Sequence, residues 1–124
     1  MSLKDFTPIT QELELLSPKD QTPIGIKLKL VGPDSKEVRN AERQLQKEAI
    51  ARTKADKEPE IEEIEVILIK KFSASVVGWD EQYNEDMGGA YSPEYVAELF
   101  NNDEYRWVVD QVAEYASKRQ NFFR

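Results

Sequence analysis

The chain has 124 residues, 24 acidic and 17 basic, with a net charge of −7 and neither cysteine nor histidine. Disulfides, thiol catalysis, zinc–thiolate sites and imidazole acid–base chemistry are therefore excluded, and the acidic balance argues against a general nucleic-acid binder. The length fits one domain, 1–124, with a core large enough to fold without staples.

The first third predicts a β-hairpin. Gln11-Glu12-Leu13-Glu14-Leu15 alternates polar and apolar, and Ile24, Ile26, Leu28 and Leu30 recur at every second position with Lys27 and Lys29 between them. Ser17-Pro18-Lys19-Asp20-Gln21-Thr22-Pro23 supplies the turn formers, with its prolines flanking the loop. Gly32-Pro33-Asp34-Ser35 then ends the second strand and opens a helix. Asp34 or Ser35 caps it, and Glu37 approximates a capping box with Asp34.

This first helix runs to about Ala55. Its apolar stripe (Val38, Ala41, Leu45, Ala49, Ile50) is narrow, and its outer face is basic through Lys36, Arg39, Arg43, Lys47, Arg52, Lys54 and Lys57. It is expected to lie on a surface. A second helix starts near Pro59, with Glu58, Glu60, Glu62 and Glu63 at its positive end, and continues to Gly78. Ile61, Ile64, Leu68 and Phe72, widened by Val66, Ile67 and Ile69, make it the most apolar segment and the expected core helix. A strand through Val66–Ile69 is the rival reading.

Residues 79–91 read as an acidic loop. Ser92-Pro93-Glu94 caps a short helix carrying Val96, Leu99 and Phe100. Asn101-Asn102-Asp103 breaks and re-caps, and a last helix spans about Glu104 to Arg119 with Trp107, Val108, Val112, Tyr115 and Ala116 on one face. The expected fold class is α+β: an N-terminal hairpin followed by about four helices.

Candidate chemistry is sparse. Asp80, Glu81, Glu85 and Asp86 are acids without EF-hand spacing, and the serines have no histidine to activate them, so no catalytic residue, metal or cofactor is expected. The longest apolar run, Val66–Ile69, is far short of a membrane span, and Met1–Phe6 lacks a signal-peptide layout; a cytoplasmic protein is expected. Two asymmetries remain. Asp80 to Glu104 holds eight acids and no base, opposite in sign to the first helix; Arg39, Arg43 and Lys47 with Asp80 and Glu81 could therefore attract one another between copies or steer a charged partner. Ten of the twelve aromatic residues lie beyond residue 75, and the Phe122-Phe123 end must dock on its own domain or on a partner.

Three landmarks in order carry a family resemblance. They are Thr22-Pro23-Ile24-Gly25-Ile26 leading to Gly32-Pro33-Asp34-Ser35, then Val77-Gly78-Trp79 before the acidic loop, then Tyr91-Ser92-Pro93-Glu94 with a closing Arg119-Gln120-Asn121-Phe122. Over residues 10–123 this order resembles the tail assembly chaperones of long-tailed bacteriophages and prophages. The resemblance implies a non-enzymatic factor that binds the tape measure protein in the host cytoplasm, keeps it soluble, helps recruit tail tube protein and is absent from the mature virion. It also implies a longer frameshifted form that contacts the tube subunit, and self-association into a homo-oligomer. A structural tail or connector protein retained in the virion is the alternative. No nucleic acid or membrane partner is implied. An apolar groove for a client helix would draw on Trp79, Tyr91, Trp107, Phe122 and Phe123, with Trp79 and Phe122 partly exposed on it.

Overall fold

A computed structural model describes residues 2–54 and 61–123. Its fold class is α+β, a three-stranded antiparallel sheet in the order β1-β2-β3 carrying helices on one face. Strands β1 (Gln11–Leu16) and β2 (Pro23–Leu30) form the expected hairpin, with Leu13 opposite Leu28 and Glu14 opposite Lys27. The period-two pattern puts Leu15, Leu28 and Leu30 into the core and leaves Glu12 and Lys27 outside. The register shifts between Glu14 and Leu16, beside Gly25 at φ +84°, a backbone that side chains other than glycine's resist. The turn is closed by Ser17 N–H donating to the Thr22 carbonyl at 2.7 Å and by the Asp20 carboxylate, which accepts from both the Thr22 amide and hydroxyl.

Helix α1 (Lys36–Lys54) starts at Ser35, whose Oγ accepts from Val38 N–H at 3.2 Å. Asp34 does not form the expected capping box; its carboxylate instead accepts from Arg119 Nε at 2.7 Å, tying the chain's end to this turn. Among the described side chains of α1 only Val38 and Leu45 are buried, and Ile50 is 59% exposed, so the helix lies on the surface as expected. Helix α2 (Ile61–Ser75) packs on it, with Lys70 pairing Glu48 and Lys71 pairing Glu42. The expected helix start at Pro59 and the core positions Ile61, Ile64 and Val66 lie outside the described residues or side chains.

Two expectations are corrected here. Helix α2 stops at Ser75, and Val76–Gly78 forms β3, pairing Leu30 with Val76 and Lys29 with Gly78. β-Branched Val76 and Val77 suit a strand, and the open side of β2 offers them backbone partners. Among the described side chains the most deeply buried helix is not α2, where Ile67, Ile69 and Phe72 are half-buried and Leu68 is exposed, but α5 (Arg106–Ala116), which buries Val108, Val109, Val112 and Ala116 in the core.

Residues 81–87 are helical where a loop was expected, as a 3-10 turn (Glu81–Tyr83) running into the single turn α3 (Asn84–Met87), which ends at Gly88 with φ +81°. Helix α4 (Pro93–Phe100) is capped as expected, Ser92 Oγ accepting from Tyr95 N–H, and it buries Val96 and Phe100. Asn102 Oδ1 then accepts from Glu104 N–H to open the 3-10 turn Asp103–Tyr105 that leads into α5. Both outer strands of the sheet are plugged by side chains. The Gln111 amide exchanges two hydrogen bonds with the Leu16 backbone, at 2.8 and 2.9 Å, and Tyr91 OH donates to the Val76 carbonyl. Backbone groups that would otherwise template pairing with another chain are thereby occupied at those two positions.

Candidate functional site

The helical layer does not cover the whole of the hairpin's apolar face. Leu28 and Leu30 are buried in one core cluster with Val96, Phe100 and Val112, but toward the turn Ile26 is only half-buried and Ile24 is 40% exposed. The alternating apolar stripe of β2 thus extends past the core it helps to build. A groove of about 500 Å³ opens there. Leu15, Ile24 and Ile26 form its sheet wall; Met87, Tyr95 and Leu99 come from α3 and α4, and Tyr105, Trp107 and Val108 from the approach to α5 and its first turn. Tyr95 is fixed by donating its hydroxyl proton to the Met87 carbonyl at 2.6 Å, which holds α4 against the end of α3. Its ring also lies where a side chain on Gly88 or Gly89 would stand, the nearest ring or hydroxyl atom being 2.7 Å from either Cβ position.

The electrostatics of the groove are one-sided. Glu85, Asp86 and Glu98 are among its lining residues, whereas no lysine or arginine is. All three are exposed, and none of them makes an ion pair with another described residue. Among the described residues no three acidic side chains converge as a metal-binding group. No helix is long and apolar enough to cross a membrane, again among the described residues. The groove is therefore suited to apolar side chains on its floor and to positive charge at its edge.

The aromatic residues expected in such a groove fare differently from one another. Trp107 is half-buried and lines it. Trp79 does not: it is 7% exposed, donates Nε1–H to Asn84 Oδ1 at 3.0 Å, and meets Tyr91 and Tyr95 edge-to-face at ring separations of 5.4 and 6.2 Å. Tyr91 sits beside it, its hydroxyl engaged with β3; burial first, and then the charges of Glu37 and Glu94, push its pKa above the usual tyrosine value. Phe122, 1% exposed, is packed on Gly32 and edge-to-face on Tyr115, while Phe123 beside it is half-buried. The expectation that Trp79 and Phe122 are partly exposed on a docking groove is therefore overturned. An indole with an apolar body and one N–H is buried cheaply once Asn84 Oδ1 accepts its hydrogen bond, and the apolar Phe122 docks on its own domain.

The charged candidates are also separated. Arg39, Arg43 and Lys47 are exposed along α1. Asp80 pairs with Lys29 of the same chain at 3.1 Å, and Glu81 is exposed in the following 3-10 turn; neither lines the groove. The acids that do, Glu85, Asp86 and Glu98, belong to the same base-free stretch, and their signal in the sequence was its charge bias rather than a motif. Ile24, Leu99 and Tyr105 carried no separate signal, because each reads as an ordinary apolar position of its strand or helix. No protein-family model, characterised protein or solved structure matches this chain.

Proposed function

We propose that the protein is a non-enzymatic tail assembly chaperone that binds the tape measure protein, keeps it soluble and helps recruit tail tube protein in the host cytoplasm, and that it is absent from the mature virion. One observation carries the reading: an open apolar groove, walled by the hairpin, α4 and α5 and lined by carboxylates that make no ion pair among the described residues. A long helical client presents apolar side chains at i, i+3/i+4 and i+7, and a groove of this kind accepts a few of them at a time. The ordered landmarks of the sequence, from Thr22-Pro23 to the closing Asn121-Phe122, support the same reading. Such a role needs neither cofactor nor metal.

The test is co-expression with the tape measure protein encoded nearby, followed by affinity capture at moderate salt. Capture with improved solubility of the tape measure is expected, together with its loss in Leu99→Asp and Tyr105→Ala, whose side chains face the groove. A soluble protein beside an unrescued, insoluble tape measure refutes the reading. Mass spectrometry of purified particles is expected to find none of this chain; its presence there would point instead to a structural tail or connector protein.

A further inference from the structure

Helix α1 carries a stripe that forms no ion pair with any other described residue. Lys36, Arg39, Arg43 and Lys47 follow one another at spacings of three and four, so they share one face, and all are exposed. None makes an ion pair with another described residue, although Glu42 and Glu48 of the same helix are paired with Lys71 and Lys70 of α2. Three residues after Lys47, on that same face, stands Ile50, 59% exposed. Leu68, two residues before the lysine that pairs with Glu48, is 47% exposed as well. The face therefore combines a row of unpaired cations with an unburied apolar side chain at its end.

The groove has the complementary chemistry: an apolar floor that reaches solvent at Ile24 and Tyr105, edged by the unpaired Glu85, Asp86 and Glu98. We propose that α1 of a second copy docks in this groove, Ile50 entering the apolar floor and Arg43 and Lys47 meeting the three carboxylates. From Arg43 to Ile50 is two helical turns, about 11 Å. The two patches are different surfaces of one chain and share no residue, so the contact is head-to-tail: each copy offers its α1 to one neighbour and its groove to another, giving a ring or an open chain. The docking does not depend on the tape measure reading. The consequence that client and second copy exclude one another does rest on it, because both would use one groove.

Charge reversal tests the docking without any client. Wild type is expected to self-associate at micromolar concentration in sedimentation velocity, and to lose at least about tenfold in affinity between about 50 and about 500 mM salt. Arg43→Glu/Lys47→Glu and, separately, Asp86→Lys/Glu98→Lys should each sediment as monomers with unchanged circular dichroism, since all four side chains are exposed. Mixed together they should co-assemble in alternation with one-to-one stoichiometry, because the intact stripe of one fits the intact groove of the other and the reversed stripe fits the reversed groove. Both pairs in one chain should restore self-association. A wild type that stays monomeric at low salt, or a stripe-reversed chain that associates as wild type does, overturns the proposal. So does a mixture that fails to pair. The stripe-reversed monomer, with its groove open, should also capture the tape measure at least as well as wild type. If it captures none while the charge-swap results hold, the chaperone reading fails and the self-docking stands.

Discussion

Phe122 gives the sharpest test of how this fold is held together, because a side chain expected at a partner surface is instead part of the core. Its ring is 1% exposed, meets Tyr115 edge-to-face at 5.6 Å, and lies on Gly32 so closely that a Cβ there would stand 2.6 Å from Cγ and 3.1 Å from Cβ of the phenylalanine. Gly32 has no positive φ, so its need for glycine is steric. Phe122→Ala should cost about 3–5 kcal/mol, the usual range for emptying a buried phenylalanine site. Gly32→Ala forces a methyl into the ring and should cost about 1–3 kcal/mol, as overpacking does. In the double variant the new methyl enters the space the ring has left. Its cost should therefore be close to that of Phe122→Ala alone, a departure from additivity of about 1–3 kcal/mol, where independent sites add to within about 0.5 kcal/mol. Urea unfolding followed by circular dichroism reads all three, and against a total stability of about 5–15 kcal/mol the shifts are large. Additive costs, or a Gly32→Ala midpoint equal to wild type, would refute the packing. A Phe122→Ala chain with an unchanged midpoint would return the side chain to the surface.

The two tryptophans should separate optically: in Trp107→Phe the remaining Trp79 should emit to the blue and resist acrylamide, whereas in Trp79→Phe the remaining Trp107 should be readily quenched. Equal quenching of the two variants would contradict their placement. Gln111→Leu leaves the part-buried Leu16 N–H and C=O without their side-chain partner and should cost about 1–3 kcal/mol in chemical denaturation. Gln111→Glu should cost less at a pH where the carboxyl is protonated, since it then donates and accepts as the amide does; equal loss at all pH values would refute the pairing. The Asp20 carboxyl is held below its ordinary value of 3.8, first by the Thr22 hydroxyl and then by the Thr22 amide. Because the folded pKa is the lower one, the turn gains its contribution above 3.8 and loses it as pH falls through the folded value. The Thr22 amide resonance should titrate with a midpoint below 3.8, and Thr22→Val should raise it; a wild-type midpoint at or above 3.8 would be inconsistent with these bonds.

Much of the fold was legible in local pattern, and what was not depended on neighbours. Ile24 to Leu30 alternates cleanly because one face of β2 meets the core, and Ser92-Pro93 marks the start of α4 because an N-cap hydroxyl and a proline each have a local use there. The end of α2 was not legible. Ile67 to Val77 contains no glycine or proline to mark a stop, and only the unpaired side of β2 decides that Val76 leaves the helix. Periodicity likewise marked α2 as the most apolar helix without showing that α5 would be the most deeply buried among the described side chains. At the candidate site the sequence exposed the charge bias of residues 80–104 but did not single out the acids that line the groove: Asp80 pairs with Lys29 from the neighbouring strand, whereas Glu98 lines the groove and makes no ion pair among the described residues. The aromatics were misplaced for a related reason. Composition locates a tryptophan near a surface loop, and only Asn84, five residues on, determines that its N–H can be buried.

The distribution of charge is harder to explain by folding than the distribution of apolar residues. A domain selected only for stability gains from interspersed charges, as on α1 and α2, where Glu42 and Glu48 meet Lys71 and Lys70 across the helix pair. Around the groove the pattern is the reverse. Glu85, Asp86 and Glu98 stand with no cation among the lining residues, and the cations that could have neutralised them lie in an unpaired row on α1. Like charges gathered at one edge repel one another, so the arrangement costs the isolated chain some stability. It also faces an apolar surface that the helical layer leaves uncovered, where Ile24 and Tyr105 reach solvent. A fold left with an open apolar floor is prone to unspecific association, and a like-charged edge restricts what can enter to segments that bring positive charge with their apolar side chains. Neutralising the edge with Glu85→Gln, Asp86→Asn and Glu98→Gln should therefore raise the melting temperature slightly while making the groove less selective. A variant that melts lower, or that still discriminates between a cationic and an anionic amphipathic peptide as wild type does, would show that these carboxylates serve the fold and not the groove.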